Sequence, residues 1–270
     1  MTAISPSGGH DDSTGTLASV TRVVVALVVG GLAVSGLGAQ TLRVAAWGSY
    51  EGVTNSPDWS AAGAQLTVSA ARGDAAWVAG ERLGRFGETD VMGRLGTVLH
   101  PGPRWWITLE AGTAARPGFM PKNSWEADVT SLVTRRASLG IGYRRWNYPV
   151  GAVDIVTPHV TIQTAKISWD LRVPVSRNSS ERIDAAFSLR ATISQTSRAS
   201  VWVLAAAGRE SVVVGTAPAA QVRSLETITG AAGLRYDAGS GVTLKIDGTV
   251  VRSRPVLSRR GVAVAIEKRF

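Results

Sequence analysis

The sequence contains no cysteine, only 3 His, and 18% charged residues where a soluble domain averages about 25%. Without cysteine there is no disulfide framework, thiol nucleophile, Cys-ligated zinc or lipoprotein anchor on an N-terminal thiol. So little charge beside 44% hydrophobic residues also excludes a disordered chain. Long apolar runs are scarce too: the only sustained one is Val23 to Leu37, 15 residues against the roughly 20 that a membrane-spanning helix needs. Arg22 precedes it and Gly38-Ala39-Gln40 follow, the layout of a secretory signal peptide with cleavage after Ala39. Residues 1–39 are therefore expected to be a signal peptide and 40–270 the mature domain. The polar stretch before Arg22, with Asp11 and Asp12, points to a translation start at Val20.

What the mature region does have is period two. Ile167, Trp169, Leu171, Val173 and Val175 alternate with Lys166, Ser168, Asp170, Arg172, Pro174 and Ser176. Ile183, Ala185, Phe187, Leu189, Ala191 and Ile193 then alternate with Asp184, Ala186, Ser188, Arg190, Thr192 and Ser194. Alternation of this kind is the signature of strands with two unlike faces. Similar ladders cover 42–50, 62–70, 91–99, 105–111, 139–143, 242–250 and 262–270, and helical spacing is nowhere sustained. Turn signals divide the region into segments of the length a tilted transmembrane strand requires.

Longer connections are expected near 54–58, 84–88, 114–122, 147–152, 176–182, 211–221 and 253–259. Shorter ones are expected near 72–74, 100–103, 135–136, 164–165, 197–199 and 237–241. That makes 14 strands, or 12 if one hairpin around Glu81 or Pro158 fails to form. An even number of strands with alternating short and long connections describes an all-β, antiparallel, up-and-down barrel of the outer membrane.

A soluble sandwich would also alternate, but its polar face would be dense in charge. Here that face is mostly Ser, Thr, Gly and Ala with one or two charges per strand, as a crowded lumen requires. The apolar face tolerates Ala and Gly because lipid fills gaps that would be cavities in a solid core. Tyr50, Trp59, Trp105, Trp125, Trp146 and Tyr148 lie at strand ends, where aromatic rings favour the headgroup level, while Trp77, Trp169 and Trp202 fall mid-strand.

The chain ends Val262-x-Val264-x-Ile266-x-Lys268-x-Phe270. A terminal Phe on an alternating strand looks like the signal by which the barrel assembly machinery recognises its clients, with Lys268 departing from the usual apolar residue but able to snorkel.

Residues 136–172 read RASLGIGYRRWNYPVGAVDIVTPHVTIQTAKISWDLR. The Gly140-Ile141-Gly142-Tyr143-Arg144 strand, the Val-rich strand after it and the Trp-containing strand ending at Arg172 resemble the YaiO-type outer-membrane β-barrel family, most clearly over 135–210. The resemblance implies an outer-membrane barrel and no settled reaction, with an association with surface polysaccharide systems as a further expectation.

Chemistry is sparse. His10 lies in the leader and His100 in a His-Pro-Gly-Pro turn. His159 faces the lumen beside Thr157 and Thr161, which alone does not make a nucleophile–base pair. No Gly-rich phosphate loop enters a helix and no metal-ligand cluster exists, so no cofactor and no metal are expected. Glu110, Glu126, Asp128, Arg144, Lys166, Asp170, Arg172, Asp184, Arg190, Lys245 and Asp247 are expected to line the lumen, either as a paired structural network or as the selectivity groups of a pore.

Removing Arg22, Asp11 and Asp12 leaves 28 Lys+Arg against 18 Asp+Glu, a balance of +10. Without a basic run interleaved with aromatics this does not indicate nucleic acid. Arginines at strand ends, among them Arg135, Arg136, Arg252 and Arg260, suit anionic headgroups such as lipopolysaccharide. The expectation is thus a narrow channel or transport-associated barrel, with a non-conducting structural barrel as the alternative and a lipid hydrolase as a distant third.

Overall fold

The computed structural model describes residues 41–180, 182–216, 220–254 and 257–270; the expected signal peptide lies outside them. All the regular structure described is strand. In chain order the elements are β1 (Thr41–Val53), β2 (Trp59–Ser69), β3 (Ala75–Arg85), β4 (Glu88–Gly102), β5 (Trp105–Ala115), β6 (Asn123–Thr134), β7 (Ala137–Tyr148) and β8 (Gly151–Gln163). They continue with β9 (Ile167–Arg172), β10 (Val175–Asn178), β11 (Ile183–Ser194), β12 (Ala199–Val214), β13 (Gln221–Gly239), β14 (Val242–Arg254) and β15 (Leu257–Arg269).

Apart from β9 and β10, consecutive strands pair antiparallel, and β15 returns to β1 with Tyr50 opposite Val262 and Ala46 opposite Ile266. The Phe270 N–H donates to the Leu42 carbonyl at 2.8 Å, so the last residue completes the closing seam. Closure leaves no unpaired edge, which is the condition for sheet structure in lipid.

β9 and β10 are two pieces of one wall strand. Both pair with β8 and with β11, and the break falls at Val173-Pro174, across from Pro158. Two prolines that cannot donate interrupt the ladder here. The carbonyls remain in use, since Val173 N–H donates to Pro158 O and Ala186 N–H to Pro174 O. The wall therefore has 14 strands, and the 12-strand alternative falls because β3 and β8 both form in spite of Glu81 and Pro158.

The faces are inverted relative to a soluble protein. Val262, Val264 and Ile266 are 48%, 54% and 50% exposed, and Ile183 is 69% exposed beside Asp184 at 2%. Buried positions include Asp90, Asp184, His159, Asn178 and Thr227, whereas large aliphatics point outward. Only a lipid surround makes that distribution favourable.

The connection lengths differ from expectation. The segment near 84–88 is a two-residue hairpin at Phe86 (φ 56°) and Gly87 (φ 80°), the pair of positive angles that matches strand twist. β12 and β13 extend pairing to Val214 opposite Gln221, turning much of the expected 211–221 loop into wall.

Three lumen tryptophans lie flat on a glycine of the next strand: Trp47 on Gly63, Trp77 on Gly96 and Trp202 on Gly233, each pair directly in register. His159 lies on Gly140 in the same way. A Cβ at Gly96 would overlap the Trp77 ring, so Gly96→Ala is expected to tip that ring off the wall and narrow the bore. Tryptophan fluorescence should shift as the Trp77 ring leaves the wall, while heat-modifiable gel mobility is retained.

Candidate functional site

The loop-side half of the lumen holds a cavity of about 700 Å³. Its wall carries a belt of charge built from the lumen-facing phase of successive strands. Arg94 on β4 reaches Glu81 on β3 and Glu110 on β5, each at 3.5 Å. Glu110 stands opposite Glu126 in register, and Arg144 on β7 pairs with Glu126, so a like-charge juxtaposition is flanked by a cation on each side. Further round, the Arg172 Nε donates to Asp170 at 2.7 Å, and the Thr161 hydroxyl donates to the same carboxylate at 3.1 Å.

Asp128 accepts from the Thr130 hydroxyl at 2.9 Å and lies 3.6 Å from His159 Nδ1. Thr130 Oγ1 is also 3.1 Å from His159 Nε2. The partner hydroxyl of His159 is thus Thr130, brought by register through Gly140, and not Thr157 or Thr161. Thr130 has one proton. Directed at Asp128, that proton is not given to His159, and the ring is 6% exposed against Gly140.

Asp184 is enclosed at the barrel wall. It accepts from the Ser211 hydroxyl at 2.8 Å and the Ser224 hydroxyl at 2.5 Å, with Arg182 at 3.5 Å. Asn178 donates to Ser211 and joins β10 to the cluster. Arg182 is half exposed and adds little. The two hydroxyl bonds to a buried carboxylate make Asp184→Ala cost about 2–4 kcal/mol, to be read from urea unfolding in detergent micelles.

The remaining sequence-derived positions separate. Lys245 pairs with Glu267 at 3.2 Å, and Glu267 also holds Arg43 at 3.2 Å, forming a second ion cluster near the turn-side end. Asp247 accepts from the Trp202 indole N–H at 3.0 Å, and Arg190 stacks on that ring at 4.4 Å. Lys166 is not in the lumen: it is exposed in the turn between β8 and β9, one residue outside the strand. Phe270 is 68% exposed at the seam, with Lys268 over its ring at 5.7 Å.

Aromatic placement needs correction at three positions. Tyr50, Trp105 and Trp125 are exposed as a girdle requires, although Trp125 also borders the cavity, whereas Trp59, Trp146 and Tyr148 line it without that exposure. Trp59 is 9% exposed and forms an edge contact with Phe86 at 5.3 Å, which in turn meets Phe119 at 6.2 Å. The Arg85 and Arg259 guanidinium groups sit 4.5 and 4.6 Å from the Trp59 ring centroid.

Phe119 belongs to the β5–β6 connection, which folds inward. Asp90, 2% exposed, accepts from the N–H groups of Gly118, Phe119 and Met120 at 2.8–3.0 Å. In the connection 54–58, the Tyr50 hydroxyl and then the Val53 N–H donate to Asp58 and hold its carboxyl below the usual carboxylate range. Among the described residues no group of His, Asp and Glu could hold a metal ion.

This architecture is that of an outer-membrane β-barrel protein. The CymD monoaromatic hydrocarbon channel shares the fold at 8% identity over 91% of this chain and 92% of that one, with a TM-score of 0.56. A loop L8 deletion mutant of OmpT, an outer membrane protein of Vibrio cholerae, aligns at 8% identity over 87% and 100%, with a TM-score of 0.51. The KdgM porin aligns at 10% identity over 83% and 98%, with a TM-score of 0.46. These identities establish the fold alone. No family model matches the sequence, and no curated protein matches it.

Proposed function

We propose that this barrel is a narrow channel of the YaiO type that passes small solutes or glycans through the outer membrane. The observation that carries the proposal is the cavity of about 700 Å³ inside the wall, lined by paired charges and aromatic rings. A lumen whose carboxylates and guanidinium groups are largely matched has its desolvation cost met within the wall, leaving the bore to water and solute. Lipopolysaccharide and other headgroups are the lateral partners, facing Tyr50 and Trp105, and the barrel assembly machinery reads the strand ending in Phe270. We assign it no catalytic step: the Thr130 proton is directed at Asp128 and not at His159.

The test is planar-bilayer recording of the refolded full chain. Discrete, stable conductance steps are expected. Silence from protein that keeps heat-modifiable mobility would overturn the channel and leave a non-conducting structural barrel.

A further inference from the structure

The loop-side end of the cavity gathers hydrogen-bond donors without matching acceptors. Trp59 is buried, and its indole N–H has no acceptor. Buried polar groups are nearly always paired, so an orphaned donor on a residue that lines the cavity points to a ligand atom. Two cations flank the same ring. Arg259 is committed to Glu51 at 2.9 Å, whereas no carboxylate among the described residues lies within ion-pair distance of Arg85, which instead stacks on Trp59 and, at 5.8 Å, on Phe119.

Of the other carboxylates that line the same space, Glu81 is held by Arg94, and Glu210 lies toward Arg259 and not toward Arg85. Beside the donors the cavity wall is apolar, formed by Leu83, Phe86, Met92 and Phe119.

From this juxtaposition we infer that the end of the cavity at Trp59 binds a carboxylate carried on a ring with an apolar face. The carboxylate oxygens accept from Arg85 and from the Trp59 indole N–H, and Arg259 adds a second positive charge across the ring. The body of the solute lies on Phe86 and Phe119. Charge-assisted bonds of this type are the strong ones, and an adjacent aromatic surface supplies contact area without needing further polar partners. The assignment names the solute of the proposed channel and rests on that function. Two sources share the chemistry, an aromatic acid and a uronic sugar.

Calorimetric titration of the refolded full chain in detergent micelles distinguishes them, with benzoate and glucuronate as probes and benzyl alcohol and methyl glucoside as neutral counterparts. Saturable binding of one or both carboxylates is expected, with none for the neutral compounds. Benzoate alone would identify an aromatic-acid site and glucuronate alone a sugar-acid site. Arg85→Gln should weaken binding by about tenfold or more, the loss of one charge-assisted hydrogen bond. Trp59→Phe, which keeps the ring and both stacked cations and removes only the N–H, should weaken it severalfold. Gel mobility checks that each variant folds, and if Arg85→Gln does not fold, Trp59→Phe decides. Equal binding of neutral and anionic probes, no binding of either carboxylate, or affinities unchanged in the folded variants would overturn the assignment. Conductance of the same preparation separates the two proposals: a conducting barrel that binds neither acid loses only this one, and a silent barrel that binds loses only the channel.

Discussion

Gly208→Ala is expected to cost about 3 kcal/mol or more, the largest loss among single alanine substitutions at the lumen glycines. Gly208 has φ 151°, and a Cβ there would overlap the Ala186 backbone and lie 2.5 Å from the Ala185 carbonyl oxygen. The obstruction is backbone on an adjacent strand, which cannot rotate away as a side chain does. Position 208 is also where β11–β12 pairing ends, at Ala186 opposite Gly208, just before β12 brings Ser211 to Asp184. Strain at 208 therefore acts on the buried Asp184 cluster as well. Urea unfolding followed by tryptophan fluorescence should show a lowered midpoint. Gly230 and Gly248 provide the contrast, because nothing lies within 4 Å of a Cβ built at either. Alanine there should be neutral. Equal losses at 208 and 230 would mean that generic chain entropy, and not this close approach, governs the glycines.

The barrel was legible because a strand's two faces are written at a fixed period of two, and lipid on one side makes the code nearly continuous from β1 to β15. Val262, Val264 and Ile266 point outward as their alternation with Gly261, Ala263 and Ala265 requires. The aromatic girdle was harder. Being near a strand end says nothing about the face, and Trp59, in phase with Gly63 and Gln65, turns inward, while Tyr148 is in phase with Arg144 and Gly142. Phase could have placed both.

Lys166 marks the opposite limit. It continues the alternation of β9 by one position, but the turn from Thr164 to Ile167 has already begun there. The Arg94 partner of Glu110, and Glu81 on the far side of that guanidinium, were not legible, because which lumen charges meet depends on register and on the diagonal reach of arginine across strands. Asp90 and Phe119 were hidden for a related reason, since a connection that folds inward carries no periodicity.

That inward connection gives the largest functional effect. Asp90→Ala is expected to release residues 116–122 and raise single-channel conductance severalfold. Among the described residues Asp90 is the only side-chain acceptor for the N–H groups of Gly118, Phe119 and Met120. Hydrogen bonds to a charged group contribute about 1.5–3 kcal/mol each, so losing three exceeds what the apolar contacts of one short loop can hold. The loop can open without unfolding the wall, because the β5–β6 ladder from Thr113–Asn123 onward does not depend on it. Opening withdraws Phe119 from Phe86 and Arg85 and takes Met120 and Pro121 off the cavity lining. Asp90→Asn should have a similar but smaller effect, because the amide retains one acceptor oxygen and turns its NH₂ toward the same donors. Trypsin provides a readout independent of current: the bond after Lys122, whose N–H and carbonyl are tied to Asn147 and Ala114 in the closed arrangement, should become cleavable. Cleavage with unchanged conductance would place the loop outside the conduction path, and protection with unchanged conductance would show that Asp90 does not hold it.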